Sequence, residues 1–238
     1  MTSDRIALDG PVVFFTGAGI SVGAGLPTYR GSRGMYENSD AEPPHARDAE
    51  PDRLPALWER FRPRLTTADQ VTPSRAHLHL ADLESRHGLA ATVVTQNVDG
   101  LHTSAGSSTV QELHGSLQRV RCLAAGHRAP FDQTVWGDDG CPQCPGCGAP
   151  CRPDVVLFGE PLPAETWAAA QEAMASAQTV VAIGTSAVVY PAAHLIGSGA
   201  TPRASTRIWI NPEAAPPDAS WTWLRGSADD MVQRLAVG

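Results

Sequence analysis

Short apolar runs that end in small or polar residues recur along this chain, and they constrain its fold more than any other feature. The first run, PVVFFTGAG (11–19), breaks into glycines; TVVTQNVD (92–99), TVVAIGTS (179–186) and RIWIN (207–211) repeat the pattern. Such β-branched and aromatic runs are typical of strands buried on both faces of a parallel sheet. Polar residues directly after such strands collect at the carboxyl edge of the sheet, where α/β proteins bind ligands.

Helical patterns separate these runs. Residues 73–87 follow Thr72, a predicted N-cap, and carry Pro73 at the first helical position. Residues 163–177 are rich in alanine, and the C-terminal stretch opens with Ser227 as its predicted cap. Strands alternating with helices predict an α/β fold with a mostly parallel sheet covered on both faces.

Two segments break this alternation. Residues 32–70 are rich in Pro, Asp and Arg and contain one helical pattern, LPALWERF, whereas residues 116–152 hold all five cysteines and many Gly and Pro. We predict that both are insertions that form a small lobe, with a ligand cleft between the lobe and the sheet. The larger domain is then built from residues 1–31, 71–115 and 153–238.

The charge balance and the basic residues exclude several function classes. A net charge of −7 argues against a nonspecific grip on nucleic acid or on an anionic membrane. All 18 basic residues are Arg, so no lysine is present to form a Schiff base or to bind phosphate in a P-loop. The N-terminal residues do not resemble a signal peptide, and no apolar stretch approaches the roughly 20 residues of a membrane span. We therefore expect a cytoplasmic protein.

The glycine-rich segment GAGISVGAGLPTYRG (17–31) follows the first apolar run. Glycines after a strand let backbone N–H groups approach a pyrophosphate, and the N-terminus of a following helix favours its negative charge. Gly17 and Gly19 fit the dinucleotide fingerprint, but Val22 occupies the third glycine position. No acidic residue ends the second strand to hold a ribose, which disfavours an ordinary dehydrogenase. A tight strand-to-helix turn without a ligand is the alternative.

Polar residues also end the second run, in TQNVDGLH. Gln96, Asn97 and Asp99 are costly to bury unless they are hydrogen-bonded, and together they could bind an amide and a ribose. An Asx-type turn is the structural alternative. His114 lies just before the cysteine-rich segment, at the predicted junction of the lobes. A lone His is more often structural than catalytic, but this position favours a general base.

Two later segments carry further signals. PDVVLFGE (153–160) is a short apolar run that could be an inner strand or an edge that pairs with an extended peptide. GTSAVVYPA (184–192) places Gly-Thr-Ser at the end of another strand, where these residues suit contacts with phosphate or ribose.

Taken together and in this order, the motifs resemble those of the sirtuins, which are NAD-dependent protein lysine deacylases. They are GAGIS, AGLPTYRG, TQNVDGLH, ELHG, a cysteine cluster, RPDVVLFGE and GTSAVVYPAA, over roughly residues 11–236. The resemblance implies a Rossmann-like parallel-sheet domain with a smaller zinc-binding lobe formed by insertions. It also implies NAD as co-substrate, structural zinc, and acylated-lysine proteins or peptides as partners, with no nucleic acid and no membrane.

The resemblance assigns roles to individual residues. His114 matches the general base, and Asn97 lies with it at the catalytic centre. Residues matching acyl-lysine contacts are Val156, Phe158 and Val188, where the target would pair as an extended strand. NAD-binding positions are Gly17, Ala18, Gly19, Ile20, Ser21, Thr28, Tyr29, Arg30, Gln96, Asn97, Asp99, Gly184, Thr185, Ser186, Asn211 and Ala228.

In the family reaction, the acyl oxygen of the substrate attacks the ribose as nicotinamide leaves. That attack gives an O-alkylimidate. The His helps to deprotonate a ribose hydroxyl, which attacks the imidate carbon, and water then completes the release of free lysine and 2′-O-acyl-ADP-ribose. A neutral imidazole suits this role. Two alternatives remain open: a mono-ADP-ribosyltransferase, and a non-catalytic module that binds ADP-ribose or zinc.

The acyl preference is a separate question. TYRG, with Thr28, resembles the loop of desuccinylase-like sirtuins, which also carry a Tyr-x-x-Arg pair that binds an acidic acyl chain. Here LWERFRPRL supplies Phe61 and Arg64, so the charge is kept but the hydroxyl is lost. We expect deacetylation with some tolerance of succinyl or malonyl groups. The alternative is that Trp58 and Phe61 are the buried face of an amphipathic helix and that Arg64 is solvated.

The cysteines predict a structural metal site or free thiols rather than disulfides in a cytoplasmic chain. Structural zinc takes four ligands, usually two close pairs of cysteines. Cys144 and Cys147 form the second pair of the sirtuin pattern, but Cys122 stands alone, with Ala125 in the place of its partner.

We therefore predict zinc held by Cys122, Cys144, Cys147 and a substitute, for which Cys141 is the first choice and His127 ranks behind it. Cys151 stands where the family has an aliphatic residue, so we expect it to be buried as a small hydrophobe. A weakened or empty site is the alternative, and redox-active thiols would need exposure and a low pKa.

Overall fold

The computed structural model describes residues 5–29, 34, 42–68, 71–197, 201 and 204–238, without the side chains of 66–68 and 133. Its strands, in chain order, are β1 (Ile6–Leu8), β2 (Val12–Thr16), β3 (Ala91–Thr95), β4 (Val110–Glu112), β5 (Gly115–Cys122), β6 (Arg128–Pro130), β7 (Val135–Trp136), β8 (Pro142–Gln143), β9 (Cys151–Val155), β10 (Thr179–Ile183), β11 (Thr206–Ile210), β12 (Thr222–Leu224) and β13 (Leu235–Val237). Its α-helices are α1 (Leu54–Ala68), α2 (Arg75–Ser85), α3 (Leu101–Ala105), α4 (Ala164–Ser176) and α5 (Ala228–Met231).

The central sheet has six parallel strands in the order β12-β11-β10-β2-β3-β4. The chain runs outward from β2 through β3 to β4 and then crosses to the other side of β2, which is the strand order of a Rossmann fold. The strand order therefore reverses between β2 and β10, whose carboxyl ends Thr16 and Ile183 are paired. Ligands of open α/β sheets bind at such a switch point.

Both faces of this sheet are covered, because alternate residues of each strand point to opposite faces. On one face, Phe14 and Val181 pack in a cluster with residues of α2 and α5. On the other face, Phe15 and Ala182 pack with Met174 of α4. All five residues of β2 and of β10 are buried, as their continuous apolar runs predicted. The predicted α/β fold is confirmed.

A second, antiparallel sheet has the order β6-β5-β9, and a short hairpin pairs β7 with β8. The apolar core beside this antiparallel sheet centres on Trp58 of α1. Trp58 is 1% exposed and donates its indole N–H to the Cys151 carbonyl at 2.7 Å. One apolar cluster joins α1 to this sheet and reaches Val155 and Leu157. The division of the chain into a larger domain and a small lobe at the predicted boundaries stays a prediction.

The ends of two helices differ from expectation. α2 is capped by Ser74, not Thr72, because the Ser74 hydroxyl accepts from His77 N–H at 3.4 Å while the His77 ring accepts from Ser74 N–H at 3.3 Å. Ser227 does cap α5, but residues 235–237 form β13, which pairs with β1, instead of continuing the helix. Pairing with a distant strand outweighs the local helical pattern there. None of the helices that the structure describes is long and apolar enough to cross a membrane.

Candidate active site

The glycine loops after β2 and β10 meet at the switch point. Gly17 N–H donates to the Ile183 carbonyl at 3.0 Å, and Gly19 N–H donates to the Gly184 carbonyl at 2.9 Å. A Cβ atom on Gly19 would lie 2.6 Å from Gly184 Cα, and Gly184 has a φ of +61°. The two backbones therefore approach each other more closely than any side chain allows. The helix that follows is a 3-10 helix, Ala18–Ala24.

Ser21, Asn97 and Asp99 form one hydrogen-bonded group beside this crossing. The Asn97 amide nitrogen donates to the Gly17 carbonyl and to the Ser21 hydroxyl, both at 3.2 Å. The Ser21 hydroxyl donates to a carboxylate oxygen of Asp99 at 2.7 Å. The other oxygen of Asp99 accepts from Leu101 N–H at 3.0 Å, so the predicted Asx turn is also present. The polar run after β3 is thus joined to the glycine loop after β2.

Gln96 and Asn211 converge on Thr185 from opposite sides of the crossing. The Gln96 amide donates to the Thr185 hydroxyl at 2.9 Å, and the Asn211 amide donates to the Thr185 carbonyl at 2.8 Å. Ser186, the next residue, is exposed. The carboxyl ends of β3, β10 and β11 are therefore connected through one threonine.

The other predicted NAD contacts lie around this group. Thr28 and Tyr29 are half-buried, Arg30 lies outside the described residues, and Ile20 is fully buried in the core of the sheet. Ala228 is buried at the start of α5, where the neighbouring carboxylate of Asp229 fills the space beside Gly23. The glycine-rich segment and α5 are therefore neighbours.

His114 lies next to Gln96 through its ring. Nδ1 is 2.8 Å from the Gln96 carbonyl oxygen. Because a carbonyl can only accept, we assign the proton to Nδ1, which leaves Nε2 of the neutral ring as the acceptor. Burial lowers the pKa of His114 below its ordinary 6.5, and the hydrogen bond to Gln96 partly offsets this. The arrangement holds an oriented, neutral imidazole beside the polar group, as a general base requires.

The predicted peptide-binding segment connects directly to His114. Val156 N–H donates to the His114 carbonyl at 2.8 Å. Two residues later, Phe158 N–H donates to the Pro44 carbonyl at 3.0 Å and the Phe158 carbonyl accepts from Ala46 N–H at 2.9 Å. The segment therefore does pair with an extended stretch of chain, here the protein's own. The side chains of Phe158 and Val188 remain about half exposed, at 49% and 52%.

Phe61 and Arg64 lie on α1 in the small-sheet region. Phe61 is 4% exposed and belongs to the same apolar cluster as Trp58. The Arg64 guanidinium carbon lies 5.2 Å from the centre of the Phe61 ring. This is the packing that the buried face of an amphipathic helix produces. A contact of this pair with an acidic acyl chain stays a prediction.

Three of the cysteines come together as predicted. The sulfurs of Cys122, Cys144 and Cys147 lie within 4.8 Å of one another, with 3.5 Å between Cys122 and Cys147. Three thiols converging on one point fit zinc, which binds thiolates and imidazoles tetrahedrally. When bound, such an ion would crosslink the β5–β6 turn to the loop before β9.

The assignment of Cys141 as the fourth ligand stays a prediction. Its thiol lies outside the three-cysteine group, 3.8 Å from the Asp139 carbonyl, and is packed in the apolar cluster. Burial and the nearby Asp139 raise its pKa to about 11. The spacing C-x-x-C suggested a pair, but the tight turn at Gly140 directs Cys141 elsewhere. Cys151 is fully buried, as expected.

Sequence reasoning missed a buried polar chain beneath Asn97. His102 Nε2 lies 3.0 Å from the Thr16 hydroxyl, which donates to the Thr95 hydroxyl at 2.8 Å. Thr95 in turn accepts from Asn97 N–H at 3.1 Å. Burial, and then the neighbouring His77, hold the pKa of His102 well below its ordinary value, so the ring is neutral. A threonine at the end of two adjacent strands and a His in TQNVDGLH were the available signals.

The comparisons with known proteins agree with this geometry. A sequence model described as "SIR2: Sir2 family" matches residues 17–191. A relative from Pyrobaculum aerophilum, "NAD-dependent protein deacylase 2", is 41% identical over 98% of this chain and 92% of its own length. One from Thermus thermophilus, "NAD-dependent protein deacylase", is also 41% identical, over 94% of this chain and 89% of its own. The chain belongs to the Sir2 family, the sirtuins.

Solved structures of Sir2 proteins are similar as well. A mutant Sir2 homologue in complex with ADP-ribose superimposes with a TM-score of 0.84 at 34% identity, covering 96% of this chain and 91% of that one. A Sir2 complex with a p53 peptide and NAD+ gives a TM-score of 0.77 at 30% identity, over 94% and 90% of the two chains.

Proposed function

We propose that this protein is an NAD-dependent protein lysine deacylase that releases nicotinamide, free lysine and 2′-O-acyl-ADP-ribose. The observation that carries the proposal is the convergence of Asn97, Asp99 and His114 with the two glycine loops at the switch point of a Sir2-family chain. The two relatives described above, which this chain covers over 92% and 89% of their length, are named NAD-dependent protein deacylases.

The NAD pyrophosphate would lie against Gly17–Ser21, at the start of the 3-10 helix that follows β2. The adenosine side would contact Gly184, Thr185, Ser186 and Asn211, with Ala228 beside the adenine. On the nicotinamide side, Gln96 and Asn97 would contact the ribose, while Asp99 would hold the carboxamide and Arg30 would contribute from the TYRG segment.

His114 would act as the general base toward a ribose hydroxyl. Its Nδ1–H is held by the Gln96 carbonyl, so the basic Nε2 is the atom left to accept a proton. The lowered pKa keeps this atom unprotonated at neutral pH. The side chain of Asn97 is fixed by its hydrogen bonds to Gly17 and Ser21, so it would position the reacting ribose without first having to rearrange.

The acylated target would bind as an extended strand between the segment of Val156 and Phe158 and the segment of Val188. The exposed apolar side chains of Phe158 and Val188 support this, because they offer surface to a peptide and its acyl-lysine. One edge at Phe158 already pairs with Pro44 and Ala46, so the peptide would use the other.

The decisive experiment is nicotinamide release with NAD and one peptide carrying acetyl-, succinyl- or longer-acyl-lysine. We expect acyl-dependent release and an acyl-ADP-ribose product by mass spectrometry, both lost in His114→Ala. Near wild-type turnover in that variant would sink the assignment of the base. Label transfer from NAD to unacylated protein would instead favour an ADP-ribosyltransferase. Calorimetric binding of ADP-ribose without any nicotinamide release would favour a binding module.

The same panel tests the acyl preference. If Arg64 pairs with an acidic acyl group, Arg64→Gln lowers activity on the succinyl peptide severalfold and leaves the acetyl peptide unaffected. Arg62→Gln, on the same helix, is the matched control. Strong acetyl preference in the wild type would remove the role of Arg64.

A further inference from the structure

We propose that His127 is the fourth ligand of the structural metal site, which makes it a Cys3His site in place of the two cysteine pairs that the family pattern predicts. The first pair of this chain is incomplete, because Ala125 stands where the second cysteine would be. His127 follows two residues later. The three thiols and this imidazole are a donor set that zinc binds in proteins.

The turn between β5 and β6 places His127 opposite Cys122. Cys122 N–H donates to the His127 carbonyl at 3.0 Å, and Gly126 N–H donates to the Cys122 carbonyl at 2.9 Å. Gly126 has a φ of +71°, a conformation that closes the turn tightly. The side chain of His127 therefore leaves the turn on the same side as the Cys122 thiol.

The ring of His127 directly contacts the second cysteine pair, Cys144 and Cys147, through Cys144. Its Nε2 lies 2.8 Å from Cys144 Sγ, and 17 residues separate the two in the chain. A Cβ atom at Gly146 would lie 3.4 Å from the same nitrogen, so the ring packs directly against this loop. The loop from Cys144 to Cys147 thus contributes two thiols and contacts the imidazole of His127.

The three sulfurs stand near the spacing that a zinc ion requires, whereas the ring of His127 would have to turn to complete the site. Tetrahedral zinc with bonds of about 2.3 Å to sulfur and about 2.0 Å to nitrogen sets S···S near roughly 3.8 Å and S···N near roughly 3.5 Å. Cys122 and Cys147 already stand 3.5 Å apart. The His127 nitrogen is too close to Cys144 and outside the set of mutually near atoms, so the ring must turn toward the other two sulfurs. His127 is exposed and free of core packing, which makes that rotation cheap.

The other two thiols are held within the apolar cluster, although the Cys151 thiol does interact with that of Cys144. Cys141 Sγ lies beside the Asp139 carbonyl within the apolar cluster. Cys151 is fixed on β9, fully buried, with its sulfur 3.8 Å from the Ala149 carbonyl and its own carbonyl held by Trp58. Both thiols are therefore less free to turn toward Cys122 and Cys147 than the exposed ring of His127 is.

The test uses the full chain loaded with zinc, and its readouts do not depend on deacylase activity. Zinc content after dialysis and the rate of zinc loss to a chromophoric chelator are measured for wild type, His127→Ala, Cys141→Ala and Cys151→Ala. We expect one zinc per chain in the wild type and at least tenfold faster loss in His127→Ala. Cys141→Ala and Cys151→Ala should keep zinc as the wild type does.

A rescue variant and a cobalt spectrum distinguish the loss of a metal ligand from misfolding of the variant. Ala125→Cys combined with His127→Ala restores four thiols and should restore zinc retention. Cobalt bound to the wild type should show the charge-transfer absorption of three thiolates, and cobalt bound to the rescue variant that of four. Wild-type retention in His127→Ala, a four-thiolate spectrum in the wild type, or wild type that binds no zinc would each overturn the proposal.

Discussion

The hydroxyl of Ser21 donates a 2.7 Å hydrogen bond to a carboxylate oxygen of Asp99, and the two residues are 78 positions apart in the chain. Ser21 lies in the 3-10 helix after β2, and Asp99 lies in the loop after β3. Asn97 donates to the same hydroxyl at 3.2 Å. One serine therefore fixes the positions of two side chains that the proposed reaction uses.

Removing the Ser21 hydroxyl should lower the catalytic efficiency with NAD more than it lowers the stability of the fold. In Ser21→Ala, Asp99 and Asn97 each lose the hydrogen bond to the Ser21 hydroxyl. Leaving these two polar groups unpaired costs about 1–3 kcal/mol of free energy. We expect kcat/KM for NAD to fall about tenfold in nicotinamide-release assays. Ser176→Ala, at the exposed end of α4, removes a hydroxyl that bonds only to its own helix and should leave kcat/KM unchanged. Equal effects of the two substitutions would contradict the role of Ser21.

The pH dependence of the reaction should follow His114. Burial lowers the pKa of this ring below 6.5, so the neutral form that acts as a base persists to a lower pH than an exposed His would allow. We expect the acidic limb of kcat/KM against pH to have its midpoint below 6.5. A midpoint above that value would show that another group controls the rate. The unfolded chain binds the proton more readily, so this His lowers stability as pH falls through 6.5.

The crossing of the two glycine loops should tolerate no side chain at Gly184. Its φ of +61° disfavours any other residue, and a Cβ would lie 2.6 Å from the Gly19 carbonyl carbon. We expect Gly184→Ala to lower the free energy of unfolding by about 2 kcal/mol or more and to weaken NAD binding. Denaturant melts measure the first and calorimetry the second. Gly197→Ala, where the nearest atom is 3.5 Å away, is the control and should be nearly neutral.

Asp154 should contribute strongly to stability. It is 1% exposed, and its carboxylate pairs with Arg119 at 3.2 Å, Arg121 at 2.9 Å and Arg128 at 2.8 Å. Asp154→Asn leaves three guanidinium groups without their shared anion, so we expect a loss of about 3 kcal/mol in denaturant unfolding. Glu59→Gln, which breaks an exposed pair with Arg62, should cost less than about 1 kcal/mol. A small loss in Asp154→Asn would show that the arginines find other partners.

The sheet and the polar ends of its strands could be read from the sequence because the signals are local. The runs at β2 and β10 span strands that are buried throughout, and those at β3 and β11 span strands whose last three residues are buried. Short strands such as β4 and β12 were harder to predict from the sequence. They contain no such run, and they form only where a neighbouring strand supplies the pairing.

The chain's own residues determined the fold class, the glycine loops and the chemical character of TQNVDGLH and ELHGSL, since each depends on side chains adjacent in sequence. The tertiary structure alone decided which cysteines meet, that His127 and not Cys141 stands beside Cys144, and that β13 replaces the end of a helix. These outcomes depend on turns and pairings that bring together residues 17 or more positions apart, and no local pattern encodes those distances.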